Sequence, residues 1–430
     1  MTQSAKMNCS RSHQQSVEKS DIWDLAIIGG GYRTTTFLAS APELLKYKIT
    51  ILEKRNILGP GAFQDYMITT SSSGKSMLKH LSYKGPFSSL KSNTEVCSIS
   101  NCNNPVQAED LATALHEVGK TLCNTLDQQA IHMNTCIQKI VLSPNSDLIK
   151  MHSDDGKIIY TNHALIATGR IERLHTQLKS WHQKTVLSQS VISKQYRKVM
   201  ETKLLSMKQP SVVIAGSSHS AMSVLQVLIP MIKELEVQHT TFQSPEIIVL
   251  QRGLTPLMYD NKKQALEHQI IGRERIFNEI TDTCPQTGII FRDSGLRHIS
   301  KETYCKLYDR KIENASLVRV NELQEASTML EQAGLIIQAL GYFGNAPDIY
   351  MADQLIRANQ SQERLVTDYD GAAVIQGKRF ENLSVMRIEP TPMNQKDNAA
   401  YASNLYEMLA KRLEQSLKKS NENKVEYTND

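Results

Sequence analysis

A short apolar run that ends in three glycines constrains this chain more than any other feature. Leu25–Ile28 leads into Gly29-Gly30-Gly31-Tyr32-Arg33-Thr34, a G-x-G-x-x-T turn. A run of this kind reads as a buried strand, and the glycines read as a tight turn. Thr34 to Ala41 then reads as a helix, and Lys48–Leu52 as a second buried strand that ends at Glu53. Strand, turn, helix and strand within about thirty residues make a βαβ unit with a right-handed crossover. Gly29 and Gly31 allow the backbone to turn sharply and to approach a pyrophosphate, which rests on the helix N-terminus. Thr34 stands where a third glycine would bring helix and strand close. Glu53 follows Gly31 by 22 residues, where a carboxylate accepts hydrogen bonds from a ribose. A tight turn without a ligand is the competing reading; the strand context and Glu53 favour a dinucleotide.

A second βαβ unit begins at Ser211, with Val212–Ala215 as strand, Ala221–Leu235 as helix and Ile247–Leu250 as strand. Its turn is Gly216-Ser217-Ser218-His219-Ser220-Ala221, with Ser218 in the second glycine position. No acid follows the second strand; Gln251-Arg252 stands there instead. A bare ribose favours a carboxylate at that point and a 2′-phosphate favours an arginine, so NADPH is expected over NADH. A solvated surface cation is the plain alternative for Arg252.

The rest of the chain is read more coarsely. Leu58 to Asn104 is rich in Gly, Pro, Ser and Thr and is expected to be a long functional loop. Leu111, Leu115, Val118, Leu122 and Leu126 recur at helical spacing. Cys136–Leu142, Leu148–His152, Ile158–Tyr160 and Ala164–Ala167 read as a meander that ends in a buried strand. Leu335–Leu340 reads as a strand, Leu365–Ile375 as a hairpin turning at Asp370-Gly371, and Leu383–Ile388 as a last strand. A helix over 398–418 places Tyr401, Leu405, Leu409 and Leu413 in register.

Composition removes several classes of function. With 49 basic and 44 acidic residues the net charge is +5, too mild for nucleic acid without a clustered patch. No patch is seen outside the Lys/Asn-rich tail after Leu417. The best apolar run, Val224–Ile232, is broken by Gln226 and Pro230 and is too short for a membrane span. The first twenty residues have no apolar core of a secretory signal. Seven cysteines without framework spacing suit a reducing cytoplasm. No metal site is expected.

Two dinucleotide turns, with Ala167-Thr168-Gly169 closing an apolar strand, resemble the flavoproteins built from two dinucleotide-binding domains. The resemblance runs from about Trp23 to Leu413 and implies an α/β fold of two Rossmann-like domains, the NAD(P)H domain inserted into the FAD domain. The expected divisions are a disordered tail over 1–20, FAD-domain segments over 21–195 and 331–419, the inserted domain over 196–330, and a polar tail over 420–430. Cys97 and Cys102 are spaced C-x-x-x-x-C in a Ser/Asn loop, and no CxxC exists, so a redox disulfide is not expected. The flavin-dependent monooxygenases fit better, especially the microbial N-hydroxylating enzymes. His219-Ser220-Ala221 resembles their Q-S-A, Phe277-Asn278-Glu279-Ile280 their F-x-N-E, and Ala339-Leu340-Gly341-Tyr342 their A-T-G-Y. Three departures stand out. Phe277 and Asn278 are adjacent, Leu340 replaces Thr, and Ser188-Gln189-Ser190 stands where a His-Ser pair is usual.

The resemblance assigns FAD to Gly29, Gly31, Thr34, Glu53, Thr168 and Gly169. It assigns NADPH to Gly216, Ser218, His219, Ser220 and Arg252, with Gly341 and Tyr342 at the C-terminal cofactor turn. It makes Asn278 the catalytic candidate, between nicotinamide and substrate; a turn asparagine is the bland alternative. It implies that NADPH reduces FAD, that O₂ adds to form a C4a-hydroperoxyflavin, and that a small soft nucleophile takes the distal oxygen. An amine nitrogen is the foremost candidate, and an amine must lose its proton in the site. Ser71-Ser72-Ser73-Gly74-Lys75 lacks P-loop spacing but suits the flavin or an anionic substrate group. Two other readings stay open: an NAD(P)H-dependent FAD oxidoreductase without oxygenation, and a flavoprotein-like binding protein whose second site has decayed. Expected partners are the small substrate and O₂, with no nucleic acid and no membrane; self-association is left open.

Overall fold

The computed structural model describes residues 22–144, 146–269, 272, 274–285, 287–292, 294–359, 365–386 and 398–426, with side chains at 405–419 of the last stretch. The expectations for the tail over 1–20 and for residues 387, 388 and 427–430 fall outside these residues, as does the side chain of Tyr401.

The first unit opens with β1 (Ile22–Ile28), α1 (Tyr32–Ser40) and β2 (Ile49–Glu53). β1 and β2 are parallel, with Leu25 opposite Ile49. Every residue of β2 is buried, as expected for a parallel strand covered on both faces. α2 (Ala108–Thr125) packs Leu111, Leu115, Val118 and Leu122 into the same core as Phe37 and Leu38 of α1. The segment read as a long loop is in fact structured. It holds a strand at Thr69–Ser73, short helices at Gly74–Leu78 and Thr94–Ser100, and 3₁₀ turns at Gly61–Asp65 and Gly85–Ser92. Leu78, Leu81, Phe87, Leu90, Val96 and Ile99 pin it to the core. Elements this short leave no period for a sequence to display.

β3 (Ile137–Leu142), β4 (Ile149–Ser153) and β5 (Ile158–Ile166) form the antiparallel meander. β5 also runs parallel to β1, with Leu25 opposite His163. The two strands expected over 158–167 are therefore one. Thr161 and His163 made it look interrupted, yet both are buried and bonded: Thr161 Oγ1 donates to the Trp23 carbonyl at 3.2 Å, and His163 sits between Ser384 Oγ at 2.8 Å and Ser416 Oγ at 3.2 Å.

The second unit comprises β6 (Ser211–Ala215), α3 (His219–Gln238), β7 (Glu246–Gln251) and β8 (Leu335–Gln338). Its sheet has five parallel strands in the order Thr185–Leu187, β8, β6, β7, Ala315–Arg319. Thr185–Leu187 and β8 lie outside the span 196–330. α3 continues through Pro230, whose ring is on the exposed face. Among the described residues no helix is long and apolar enough to cross a membrane.

The chain then returns to the first sheet. Phe343–Gly344 pairs antiparallel with Arg170–Ile171, so the outgoing and returning crossovers are stitched together. β9 (Lys378–Val385) joins β5 in parallel, with Leu383 opposite Ala164. α4 (Asn398–Glu426) lays Leu405, Leu409, Leu413 and Leu417 on the first core. The architecture is α/β, with a second parallel sheet inserted into the first unit.

Candidate active site

The two glycine turns share a local geometry. Gly29 takes φ +102°, and a Cβ there would lie 2.6 Å from the Ala167 carbonyl oxygen. Gly216 takes φ +117°, and a Cβ there would lie 2.3 Å from the Ala339 carbonyl oxygen. Each turn thus presses a glycine against the end of the neighbouring strand, where only glycine fits. Gly31 is the N-cap of α1 at φ −79°; its lack of a side chain leaves a gap bounded by Gly61. Glu53 is buried, and its Oε2 accepts from the Gly30 amide at 2.5 Å and its Oε1 from the Arg55 amide at 2.9 Å. Thr34 Oγ1 donates to the Gly29 carbonyl, so Thr34 closes the turn from behind. Thr168 Oγ1 likewise donates to the Asn345 carbonyl, and Gly169 at φ +75° has open space where a side chain would be.

At the second turn, Ser218 is the N-cap of α3 but makes no side-chain cap. His219 donates from Nε2 to the Gly295 carbonyl at 3.2 Å, while its Nδ1 is buried and has no partner among the described residues. Burial first, then the nearby Arg297 cation, pushes the His219 imidazole down to about 4. The ring is neutral near pH 7 and presents an unused lone pair.

Both turns open onto one cavity of about 1870 Å³. A pocket for a single drug-sized ligand is about 300–1,000 Å³, so there is room for more than one. From the first unit Gly29, Gly31, Glu53, Thr168 and Gly169 line it, from the second Ser218 and His219, and from the return crossover Tyr342. Thr34, Gly216, Ser220, Arg252 and Gly341 are not on its wall. Arg252 is exposed at the end of β7, and Ser220 bonds the Tyr342 phenol. Asn278 is not brought to the cavity either. It is exposed, and its Oδ1 accepts from the amides of Ile280 at 2.9 Å and Thr281 at 3.2 Å. A short amide side chain that satisfies nearby backbone in this way makes a turn.

Other wall residues carry no motif. Ser71, Ser72 and Ser73 line the cavity, whereas Lys75 does not. Tyr66, Arg292 and Arg297 come from irregular segments. Burial pushes the Tyr66 phenol up to about 12. Cys97 and Cys102 are free thiols away from the wall. Among the described residues no group of three His, Cys, Asp or Glu is placed to hold a metal.

No family model matches this sequence, and no curated protein matches it. Solved structures do match its fold. One is the FAD-bound cadaverine monooxygenase of desferrioxamine biosynthesis from Erwinia amylovora, with TM-score 0.58 and 13% identity over 91% of this chain and 94% of that one. Another is the ornithine hydroxylase of Pseudomonas aeruginosa in its reduced form, with TM-score 0.55 and 14% identity over 91% of this chain and 100% of that one. A cyclohexanone monooxygenase matches with TM-score 0.54 and 11% identity over 93% and 88%. At such identities the likeness is one of fold. Over about nine-tenths of its length, then, this chain has the fold of these three structures.

Proposed function

We propose that this protein is a flavin-dependent monooxygenase that uses FAD, NADPH and O₂ to hydroxylate a small soft nucleophile, an amine nitrogen foremost. The observation that carries the reading is that two nucleotide-type turns, on separate sheets, open onto one cavity. Hydride transfer between two dinucleotides requires that arrangement. The fold likeness to a cadaverine monooxygenase and an ornithine hydroxylase over nine-tenths of the chain supports an amine as substrate.

The residues fit both cofactors. The gap at Gly31 and the uncapped start of α1 suit the FAD pyrophosphate. Glu53 still has acceptor capacity for ribose hydroxyls, because a carboxylate offers about four lone-pair sites and two are used. Thr168 and Gly169 complete that side. On the other, the uncapped start of α3 at Ser218 and His219 suits the NADPH pyrophosphate, with Gly216 and Ser220 shaping the turn. The orphan Nδ1 of His219 calls for a donor from the ligand, and Arg252 suits the 2′-phosphate. Bound FAD, reduced by NADPH, would supply the activation of O₂. The protein excludes water, holds the substrate, and must relieve an amine of its proton, since only the neutral amine is a nucleophile. The inserted unit is taken to run from Thr185 to Gln338, the limits of its sheet.

The test is spectroscopic and stoichiometric. The purified protein should be yellow or bind added FAD, and NADPH should bleach it without air. Product formed per NADPH, across a panel of amines, then separates oxygenation from simple oxidase turnover. Failure to bind FAD overturns the reading. Complete recovery of the electrons as hydrogen peroxide with every amine would favour the oxidoreductase without oxygenation.

A further inference from the structure

A buried carboxyl group at the crossover between the two units has no role in the reading above. Glu172 is 6% exposed and directly follows the short strand Arg170–Ile171. Its Oε1 accepts from Ser188 Oγ at 2.6 Å, and its Oε2 from the Gln189 amide at 2.7 Å. Ser188 Oγ is also 3.4 Å from the Tyr342 hydroxyl. Tyr342 stands on the return crossover and lines the cavity. A line of hydroxyls thus connects an interior carboxyl to the cavity wall.

The surroundings favour a proton on this line over a fixed charge. The titratable groups that face Glu172 are the phenols of Tyr66 and Tyr342, both raised by burial and by Glu172 itself. Among the described residues, burial and the bonds from Ser188 and Gln189, rather than a neighbouring cation, set the Glu172 carboxyl. Burial therefore raises the Glu172 carboxyl to about 7, against the bonds from Ser188 and Gln189 that pull it down. At the wall, Glu53 is tied to two amides and Asp282 is paired with Arg275 at 2.9 Å, while burial holds the His219 imidazole down at about 4.

We propose that Tyr342, Ser188 and Glu172 form a proton relay from the cavity to a buried acceptor, which serves to deprotonate an amine substrate. The purpose, though not the path, rests on the monooxygenase reading. With Glu172 ionised, Ser188 donates to Glu172 and Tyr342 donates to Ser188; Ser220 takes at most one of the two Tyr342 lone pairs, so one is left for the cavity. An ammonium group there gives one proton to Tyr342 Oη. The former Tyr342 proton passes to Ser188 Oγ, and the former Ser188 proton passes to Glu172. The nitrogen gains its lone pair, Glu172 becomes neutral, and both hydrogen bonds end reversed. No electron is transferred, and the reverse sequence resets the line.

The path is tested by infrared spectroscopy on the purified protein with whatever cofactor it carries. A protonated-carboxyl band should grow as pH falls through about 7, and Glu172→Gln should lack it. After a rapid drop in pH, that band should rise at least tenfold more slowly in Ser188→Ala and in Tyr342→Phe, and near the wild-type rate in Ser188→Thr. Tyr342→Phe keeps the ring packing, so it decides the matter if Ser188→Ala does not fold. Absence of the band, or wild-type rates in Ser188→Ala and Tyr342→Phe, overturns the relay. The purpose is tested by kcat/KM for the best amine, which should have a limb near pH 7 that Glu172→Gln removes; an unmoved limb overturns it. If the infrared results hold while no amine is oxygenated, the amine reading fails and the path stands.

Discussion

Gly29 and Gly31 sit two residues apart and respond differently to substitution. At Gly29 the positive φ and the Ala167 carbonyl forbid any side chain, so a variant there tests folding before binding. Gly31 has an ordinary φ of −79°, and an added Cβ would come only to 3.3 Å from Gly61 Cα. Gly31→Val should therefore fold, at a cost of about 1–3 kcal/mol from crowding, and should purify without visible flavin absorbance. Full flavin content in that variant would remove FAD from this turn. Two buried titratable groups give predictions of opposite sign. Glu172 has a folded value of about 7, above the usual 4.5. Its contribution is present below about pH 4.5 and lost as pH rises through 7. Glu172→Gln should thus gain about 3 kcal/mol over wild type at pH 8 and about nothing at pH 4, read from urea midpoints. His163 is held well below 6.5 by burial first and by Arg412 second. Its contribution is present above about pH 6.5 and lost as pH falls below it. His163→Gln should flatten the acid side of the stability curve, and an equally steep acid limb in the variant would refute that. Glycines, Glu53 and the second turn were legible because local backbone chemistry dictates them. Glu172 was not, because only the fold brings Ser188 and Tyr342 to it.

Among the elements, α1 was expected as a helix over Thr34–Ala41 and forms over Tyr32–Ser40, although its own residues favour a helix only weakly. It has nine residues, and Thr34, Thr35 and Thr36 are poor helix formers. Their hydroxyls turn back onto the Gly29, Gly31 and Tyr32 carbonyls, and Thr36 also meets the Tyr406 hydroxyl at 2.9 Å. Tyr406 lies 370 residues away in α4, beyond any local pattern. β5 taught the converse lesson, since its polar residues broke the apparent strand while the remote Trp23 carbonyl satisfied Thr161 and remote serines satisfied His163. Asn278 sits in a string that resembles a functional motif, yet its side chain is spent on Ile280 and Thr281. A motif string fixes residue types but not the direction in which a loop points them. α4 itself was legible from its leucine spacing, and its contribution can be measured. Leu409 is fully buried in the first core, so Leu409→Ala should lower stability by about 2–5 kcal/mol. A change under 1 kcal/mol in urea unfolding would mean that α4 does not belong to that core.

For the whole molecule, the two βαβ units announce the sheets, whereas the cavity between them needs segments with no period at all. Tyr66, Ile280, Phe291 and Arg297 lie in irregular segments and the serines at 71–73 on a short polar strand, so the space was not foreseen even where its two glycine edges were. How the two halves meet depends on the crossovers, which the ribbon of Arg170–Ile171 and Phe343–Gly344 ties together. Gly341 lies on the return crossover at φ +105°, with no atom within 4 Å of where a Cβ would sit. Gly341→Val therefore meets no clash, and the left-handed backbone alone penalises it, by about 1–2 kcal/mol. Relief of that strain should shift one unit against the other while leaving each sheet intact. Gly29, Gly31 and Glu53, proposed here to hold FAD, all lie in the first unit, so flavin content should not change. The anaerobic bleaching by NADPH depends on the register of both units, and a misalignment costing about 1.4 kcal/mol slows it about tenfold. Flavin content and bleaching rate are read from the same preparation. If both fall together, or if neither changes, the crossover does not set the register of the two halves.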